Sequence, residues 1–281
     1  MSGTTLLYGV LGAPIAHTRS PAMHNAAFAH HGLDAVYVAL PVEPDGLADA
    51  IRGAHALGFR GVNVTVPHKQ AVARLVAPLD PVASETGAVN TLVRRADGWE
   101  GHNMDAPACL ELLEAAGVRA GARALLAGAG GVARAAAWAL KRLGAEVVVA
   151  ARREVQGAEL AQEVGAAAVS FARLAEESER ADVIVNATPI GLAPAGIGGA
   201  RLDLRFRAGQ VALDAVYGDT AFVREARAAG ARVVTGEALL VRQGALAFNL
   251  WTGRAAPEAE MLAAVERARD PSTGSGQGDA R

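Results

Sequence analysis

Three polar residues, Asn63, Thr65 and Lys69, stand in and just past the apolar run that opens GVNVTVPHKQ. A strand in a parallel sheet is buried along its length and meets ligands at its C-terminal end, so an amide, a hydroxyl and an ammonium placed there point to a cleft. Asn90, in GAVNTL, ends the next apolar segment, and Asp105, in GHNMDA, opens a helical pattern. These five groups can converge on one pocket. A lysine ammonium beside a carboxylate can donate a proton to a carbonyl oxygen and stabilise the charge developing on it. Lone Lys and Asp residues more commonly solvate a surface, and what favours chemistry here is a second site further along the chain.

That second site is LLAGAGGVARAAAWAL, which sets Gly128, Ala129, Gly130, Gly131 and Val132 between an apolar strand and an alanine-rich helix. Glycines in such a turn let backbone N–H groups approach a pyrophosphate at a helix N-terminus. They also serve a close strand–helix turn that binds nothing. The next strand, EVVVAA, runs into Arg152 and Arg153, where an NAD-binding chain would usually carry an acidic residue for the ribose hydroxyls. Guanidinium donors suit a 2′-phosphate, so NADP is the expected cofactor; the plainer alternative is two arginines solvating a helix start. A nicotinamide joined to Lys69 and Asp105 makes hydride transfer coupled to proton transfer the expected chemistry.

The elements that must position these groups are legible as short apolar runs alternating with helical patterns. Strands are expected at 6–12, 35–40, 61–67, 88–94, 122–128, 146–151, 182–188, 210–216 and 231–236. The fold class is α/β with two domains: an N-terminal α/β substrate domain with a mainly parallel sheet, and a Rossmann-type dinucleotide-binding domain, with a cleft between them. A linking helix should start at Asp105, and the closing helix should pack back on the first sheet. This gives residues 1–104 plus 237–269 as a discontinuous substrate-binding domain, 105–236 as the NADP-binding domain and 270–281 as a disordered tail. PAGIGGA, at 194–200, could be a loop over the cofactor or an ordinary surface loop.

Composition narrows the function classes. The 281 residues are 51% hydrophobic and carry a net charge of −2 without a basic block, which leaves no electrostatic footprint for nucleic acid or a membrane surface. MSGTTLLYGVLGAP lacks the basic and apolar regions of an export signal. No apolar run is long enough to span a bilayer. The single cysteine, Cys109, cannot form an intramolecular disulfide and fits a reducing, cytoplasmic setting; it reads as an inert buried thiol. The seven histidines lack metal-ligand spacing, so no metal is expected. Trp138 and Trp251 read as core, and Trp99 as part of a hairpin.

In order along the chain, GAPIAHTRSPAMHN, NVTVPHK, GAVNTL, GHNMDA, GAGGVAR, VNATPIGL, LDAVYGDTA and TGEALLVRQGALAFNLWTG resemble the motifs of the shikimate dehydrogenase family. The resemblance spans about residues 8 to 262. It implies NADPH-dependent, reversible reduction of 3-dehydroshikimate to shikimate on the way to the aromatic amino acids, by a monomer or homodimer. It also implies that Thr18, Ser20 and Tyr217 bind the substrate carboxylate, and that Asn63, Thr65, Lys69, Asn90, Asp105 and Gln243 hold the ring hydroxyls and carbonyl. The resemblance further gives Lys69 the acid–base role, with Asp105 beside it. On the same resemblance, Gly128 to Val132 would form the pyrophosphate loop, Arg152 and Arg153 the 2′-phosphate clamp, and Thr188, Ala215 and Gly236 the nicotinamide surroundings.

Thr18 stands where the family usually has Ser, Met104 where it has Thr, Leu239 where Met is common and Ala221 where Pro is common; Ala151 and Arg153 replace the common Asn and Ser or Thr. Thr18, Met104 and the residues at 151–153 leave open a quinate or aminoshikimate dehydrogenase, with NAD as an alternative coenzyme. A reading from another class is an NADP-binding sensor that has lost activity. A sensor has no chemical need for both Lys69 and Asp105.

Overall fold

A computed structural model describes residues 2–192 and 201–268. The stretch at 194–200 and the tail at 270–281 singled out above lie outside the described residues. Strand β1 (Leu6–Gly12) sends Tyr8 and Val10 to one core and Leu11 to another, because successive side chains of a strand face opposite sides of its sheet. Helix α1 (Ser20–His30), β2 (Ala35–Pro41), α2 (Leu47–Ala56), β3 (Gly61–Val64), α3 (Lys69–Leu75), α4 (Pro81–Thr86), β4 (Thr91–Arg95) and β5 (Gly98–His102) complete this half. The strand order is β2-β1-β3-β4-β5, with β1 parallel to both of its neighbours and β4 antiparallel to both of its own. Four strands therefore run one way and β4 the other.

Helix α5 (Asp105–Ala115) leads into β6 (Arg123–Ala127), α6 (Gly131–Arg142), β7 (Glu146–Ala151), α7 (Glu154–Val164), β8 (Ala167–Ser170), α8 (Leu174–Arg180), β9 (Val183–Asn186), β10 (Val211–Asp214), α9 (Ala221–Ala228) and β11 (Arg232–Val234). All of this second sheet is parallel, in the order β11-β10-β9-β6-β7-β8. The chain winds outward one way from β6 and then the other way from β9, which makes the gap beyond the ends of β6 and β9 the topological switch point where doubly wound sheets bind dinucleotides. Helices α10 (Gly236–Thr252) and α11 (Glu258–Arg267) return to the first sheet: Ala245, Phe248, Met261 and Val265 share a core with Tyr8, Met23 and Phe28.

The expected strands differ from the observed ones mainly at their ends. β3 stops at Val64 rather than continuing to 67, because the Thr65 carbonyl accepts the His68 N–H at 2.9 Å and closes a turn that leaves Val66 exposed. Asn90 does not end a strand; it lies just ahead of β4. Since β4 runs antiparallel to β3, that position still falls at the edge where β3 ends, with Asn63 in register with Thr91. Two strands are absent from the expectation. β8 is an alanine-rich edge strand, mostly exposed, without the apolar run that marks a buried one. β5 carries two glycines, and at Gly101 a Cβ would come within 2.7 Å of Leu79. Trp138 packs partly buried against the core of the second half, while its indole N–H donates to Glu85 at 2.6 Å across a partly exposed seam between α4 and α6.

His24 is fully buried in α1, its ring stacked on Tyr37 at 4.4 Å, and neither ring nitrogen has a hydrogen-bond partner among the described residues. Burial lowers its pKa from 6.5 to about 3. Above pH 6.5 the imidazole is neutral whether the chain is folded or unfolded; below it the unfolded chain takes up a proton that the folded chain refuses. Stability should therefore fall as pH drops from about 6.5 toward 3, by up to about 1.4 kcal/mol per pH unit from this group. Urea unfolding between pH 6 and 4 should show a shallower loss for His24→Phe than for the unaltered chain. An identical pH slope in the two would contradict this.

Candidate active site

Lys69 opens α3, just past the turn that follows β3, and Asp105 opens α5 just past β5. β3 and β5 point the same way, so both residues arrive at one edge of the sheet. Their side chains meet there: Lys69 Nζ donates to Asp105 Oδ2 at 2.6 Å, with Lys69 9% and Asp105 5% exposed. Asp105 sits in the first turn of its helix, where the N-terminal dipole favours a carboxylate. A buried ion pair costs desolvation that only good geometry offsets, and 2.6 Å satisfies that requirement.

Around the pair runs a network of amides. Asn90 accepts the Met104 N–H at 2.7 Å, which fixes the entry to α5, and donates to Gln243 of α10 at 3.3 Å. Asn63 accepts from the Tyr37 hydroxyl at 2.7 Å, and its amide hydrogens go to the Asn90 carbonyl and the Thr91 hydroxyl. Thr65 lies in the turn after β3, partly buried. Thr18 and Ser20 precede and begin α1, their hydroxyls 3.3 Å apart. The Arg19 guanidinium stands over the Tyr217 ring at 5.4 Å. The Tyr217 phenol is pushed up, chiefly by burial, with Arg19 opposing and the Asp105 and Glu237 carboxylates adding to it, so it remains a hydrogen-bond donor at neutral pH.

On the facing side, Gly128 takes φ +118° and lies so close to β9 that a Cβ would be 2.8 Å from the Ala187 carbonyl; the turn and the switch point are one place. Gly130 caps α6 without any side-chain acceptor for the helix's first N–H groups, which leaves them as donors for an anion. Ala129 and Val132 flank this turn, partly buried. Arg152 and Arg153 follow β7, exposed and without an ion-pair partner among the described residues. Donors at the helix start and free guanidiniums beyond the next strand fit a dinucleotide with a 2′-phosphate. Thr188 follows β9, held through its hydroxyl and N–H by Asn186, whose carbonyl accepts from Ala215 at 2.9 Å. Gly236 packs beneath the Val216 carbonyl.

The two sides touch at Gly131. A Cβ on it would lie 2.9 Å from Lys69 Cδ and 3.1 Å from Lys69 Cβ. The glycine turn and the lysine motif, far apart along the chain, are in van der Waals contact.

Sequence profiles of the shikimate dehydrogenase substrate binding domain, of shikimate/quinate 5-dehydrogenase and of the shikimate 5′-dehydrogenase C-terminal domain match residues 10–92, 112–191 and 236–266. A relative named shikimate dehydrogenase (NADP(+)), from Anaeromyxobacter dehalogenans strain 2CP-1, is 61% identical over 273 residues, which cover 95% of this chain and 98% of the relative. The chain belongs to the shikimate dehydrogenase family. Among solved family structures, the Thermus thermophilus shikimate 5-dehydrogenase in complex with NADP(H) and shikimate superposes with a TM-score of 0.81 at 39% identity, covering 94% of this chain and 99% of that one. A shikimate dehydrogenase in complex with NADP+ reaches 0.87 at 32% identity, covering 95% and 96%.

Several polar residues near these strand ends escaped sequence reasoning. Asn186 and Asp214 end β9 and β10 fully buried and share a hydrogen bond of 2.9 Å. Burial pushes the Asp214 carboxyl up to about 6, against the Thr220 hydroxyl, the Val216 N–H and the Asn186 amide, which all favour the charged form. Both lie in apolar runs, VNAT and LDAV, where one polar residue at a strand end was the available signal. Arg19 and Glu237 gave none, since each becomes informative only through its partner.

Proposed function

We propose that this enzyme catalyses the reversible NADPH-dependent reduction of 3-dehydroshikimate to shikimate, within aromatic amino acid (chorismate) biosynthesis, with Lys69 and Asp105 as its acid–base pair. The observation that carries this reading is the buried 2.6 Å pair standing against the glycine turn at a topological switch point. When bound, NADPH supplies a hydride to the substrate's carbonyl carbon. As the carbonyl bond becomes an alkoxide, the Lys69 N–H bond breaks and a proton passes to that oxygen, leaving a neutral amine that solvent recharges. Asp105 holds the ammonium in place and accepts from a neighbouring ring hydroxyl.

Thr18, Ser20 and Tyr217 offer hydroxyl donors to the substrate carboxylate. Asn90 and Gln243 face the ring hydroxyls. Thr65 completes that wall, and Asn63, whose amide hydrogens are taken up within the protein, presents its remaining lone pair and holds the Asn90 backbone. Each ring hydroxyl then finds a partner, and an analogue lacking one leaves a desolvated group behind. The packing of α10 and α11 on β1 and α1 supports residues 1–104 with 237–269 as the substrate-binding domain and 105–236 as the NADP-binding one. No helix among the described residues is long and apolar enough to cross a membrane. With one buried cysteine, the chain suits the cytoplasm, where it acts as a monomer or homodimer on a small-molecule substrate.

Arg152 and Arg153 are assigned to the 2′-phosphate, with Thr188, Ala215 and Gly236 about the nicotinamide. Replacing both arginines by Ser should lower kcat/KM for NADP+ by roughly 10- to 100-fold, the scale of lost charge-assisted hydrogen bonds, and leave NAD+ kinetics nearly unchanged. Initial rates with each coenzyme check this, and equal losses with both would remove the arginines from coenzyme choice. The reaction itself is tested by nicotinamide absorbance with shikimate and NADP+, where absence of turnover overturns the proposal and favours a binding-only role.

A further inference from the structure

One carboxylate oxygen ties together three separate segments beside the cleft. Glu237, the second residue of α10, accepts through Oε1 from Arg19 Nη1 at 3.2 Å and from the Gly218 N–H at 2.7 Å. Arg19 is the residue between Thr18 and Ser20, and Gly218 is the residue after Tyr217. The ion pair is largely sheltered, with side chains 17% and 13% exposed, so it is screened less than a surface pair. On its other side the Arg19 guanidinium covers the Tyr217 ring at 5.4 Å. Loss of the Glu237 side chain releases both the loop before α1 and the loop after β10, and loss of Arg19 releases the first and uncovers the Tyr217 ring, in neither case removing a hydrogen bond of Lys69, Asp105 or the glycine turn.

We infer that Arg19 and Glu237 are positioning residues for the substrate's carboxylate: their ion pair holds the Thr18 and Ser20 hydroxyls and the Tyr217 phenol at the mutual spacing that one carboxylate can bridge. This rests on the reaction proposed above. Neither residue is a donor to the substrate in this account. Each acts through the loop it anchors, and the benefit falls on substrates that carry a free carboxylate.

The test is steady-state oxidation of shikimate and of its methyl ester, in which the carboxylate is capped, by the unaltered enzyme, Arg19→Met, Glu237→Leu, Glu237→Gln and the Arg19→Met/Glu237→Leu double variant. Arg19→Met and Glu237→Leu should each raise KM for shikimate about tenfold with kcat and the NADP+ KM within about twofold, the pattern of lost uniform binding. Their effect on the methyl ester should stay below about twofold. The double variant should be no worse than the poorer single one, because the two residues act as a unit. Glu237→Gln keeps an acceptor for the Gly218 N–H and should fall between the extremes. Unchanged shikimate KM, or equal losses for shikimate and ester, overturns the positioning role. Failure of the unaltered enzyme to oxidise shikimate overturns the proposed reaction, and the carboxylate role with it.

Discussion

Lys69→Ala is expected to lower turnover with shikimate and NADP+ by a factor on the order of 100 or more, the scale at which a positioned general acid–base contributes. NADPH affinity should stay within about threefold, because the pyrophosphate donors of the α6 N-terminus do not depend on the lysine. The substitution removes the proton carrier and also leaves the Asp105 carboxylate buried without a cation, which is destabilising by about 3–5 kcal/mol in comparable buried pairs. NADPH binding therefore serves as the folding control. Turnover close to that of the unaltered enzyme would take Lys69 out of the mechanism.

Gly131→Ala should cost nearly as much, for a different reason. Gly131 is not held in the left-handed region, so alanine brings no backbone strain there. Its added methyl would meet the stem of Lys69, at 2.9 Å from Cδ and 3.1 Å from Cβ. The root of a side chain cannot swing aside as its tip can. The lysine must shift as a whole, and a displacement approaching about 1 Å at the reacting atoms costs about 100-fold. We expect kcat to fall by roughly 10- to 100-fold, with NADPH affinity reduced far less. Fluorescence titration with NADPH alongside single-turnover rates separates the two. A collapse in NADPH affinity with an intact single-turnover rate would mean that the glycine serves the pyrophosphate alone.

Much of the fold was legible because its signals are local. The run at 6–12 alternates its apolar faces as a strand between two cores must, and the glycines of LLAGAGG mark a strand-to-helix turn that the structure places at the switch point. The edge strand β8 was not legible, since the exposed AAVS carries no contrast between faces. The premature end of β3 was hidden because Val66 is apolar and yet 62% exposed.

Within the site, Lys69 and Asp105 could be picked out singly by their places at strand ends and helix starts. Their contact, 36 residues apart in sequence, depends on the order of strands in the sheet. The same holds for Gly131 against Lys69 and for Arg19 with Glu237, 218 residues apart. Residue types are written locally, but pairings across a sheet or between two halves of a chain are set by topology. Trp138 shows the same limit: apolar helical spacing points to its packing against the core, but not to the Glu85 carboxylate that its indole N–H finds at the seam.

The central claim is that this cleft oxidises and reduces a polyhydroxylated carboxylic acid with NADP as coenzyme. It is tested most directly by initial rates of shikimate and quinate oxidation, each with NADP+ and with NAD+, followed at the nicotinamide absorbance. Shikimate with NADP+ should run far ahead of the other three pairings. Quinate or NAD+ in the lead would contradict the assigned substrate or coenzyme, and no turnover in any pairing would contradict the assigned chemistry.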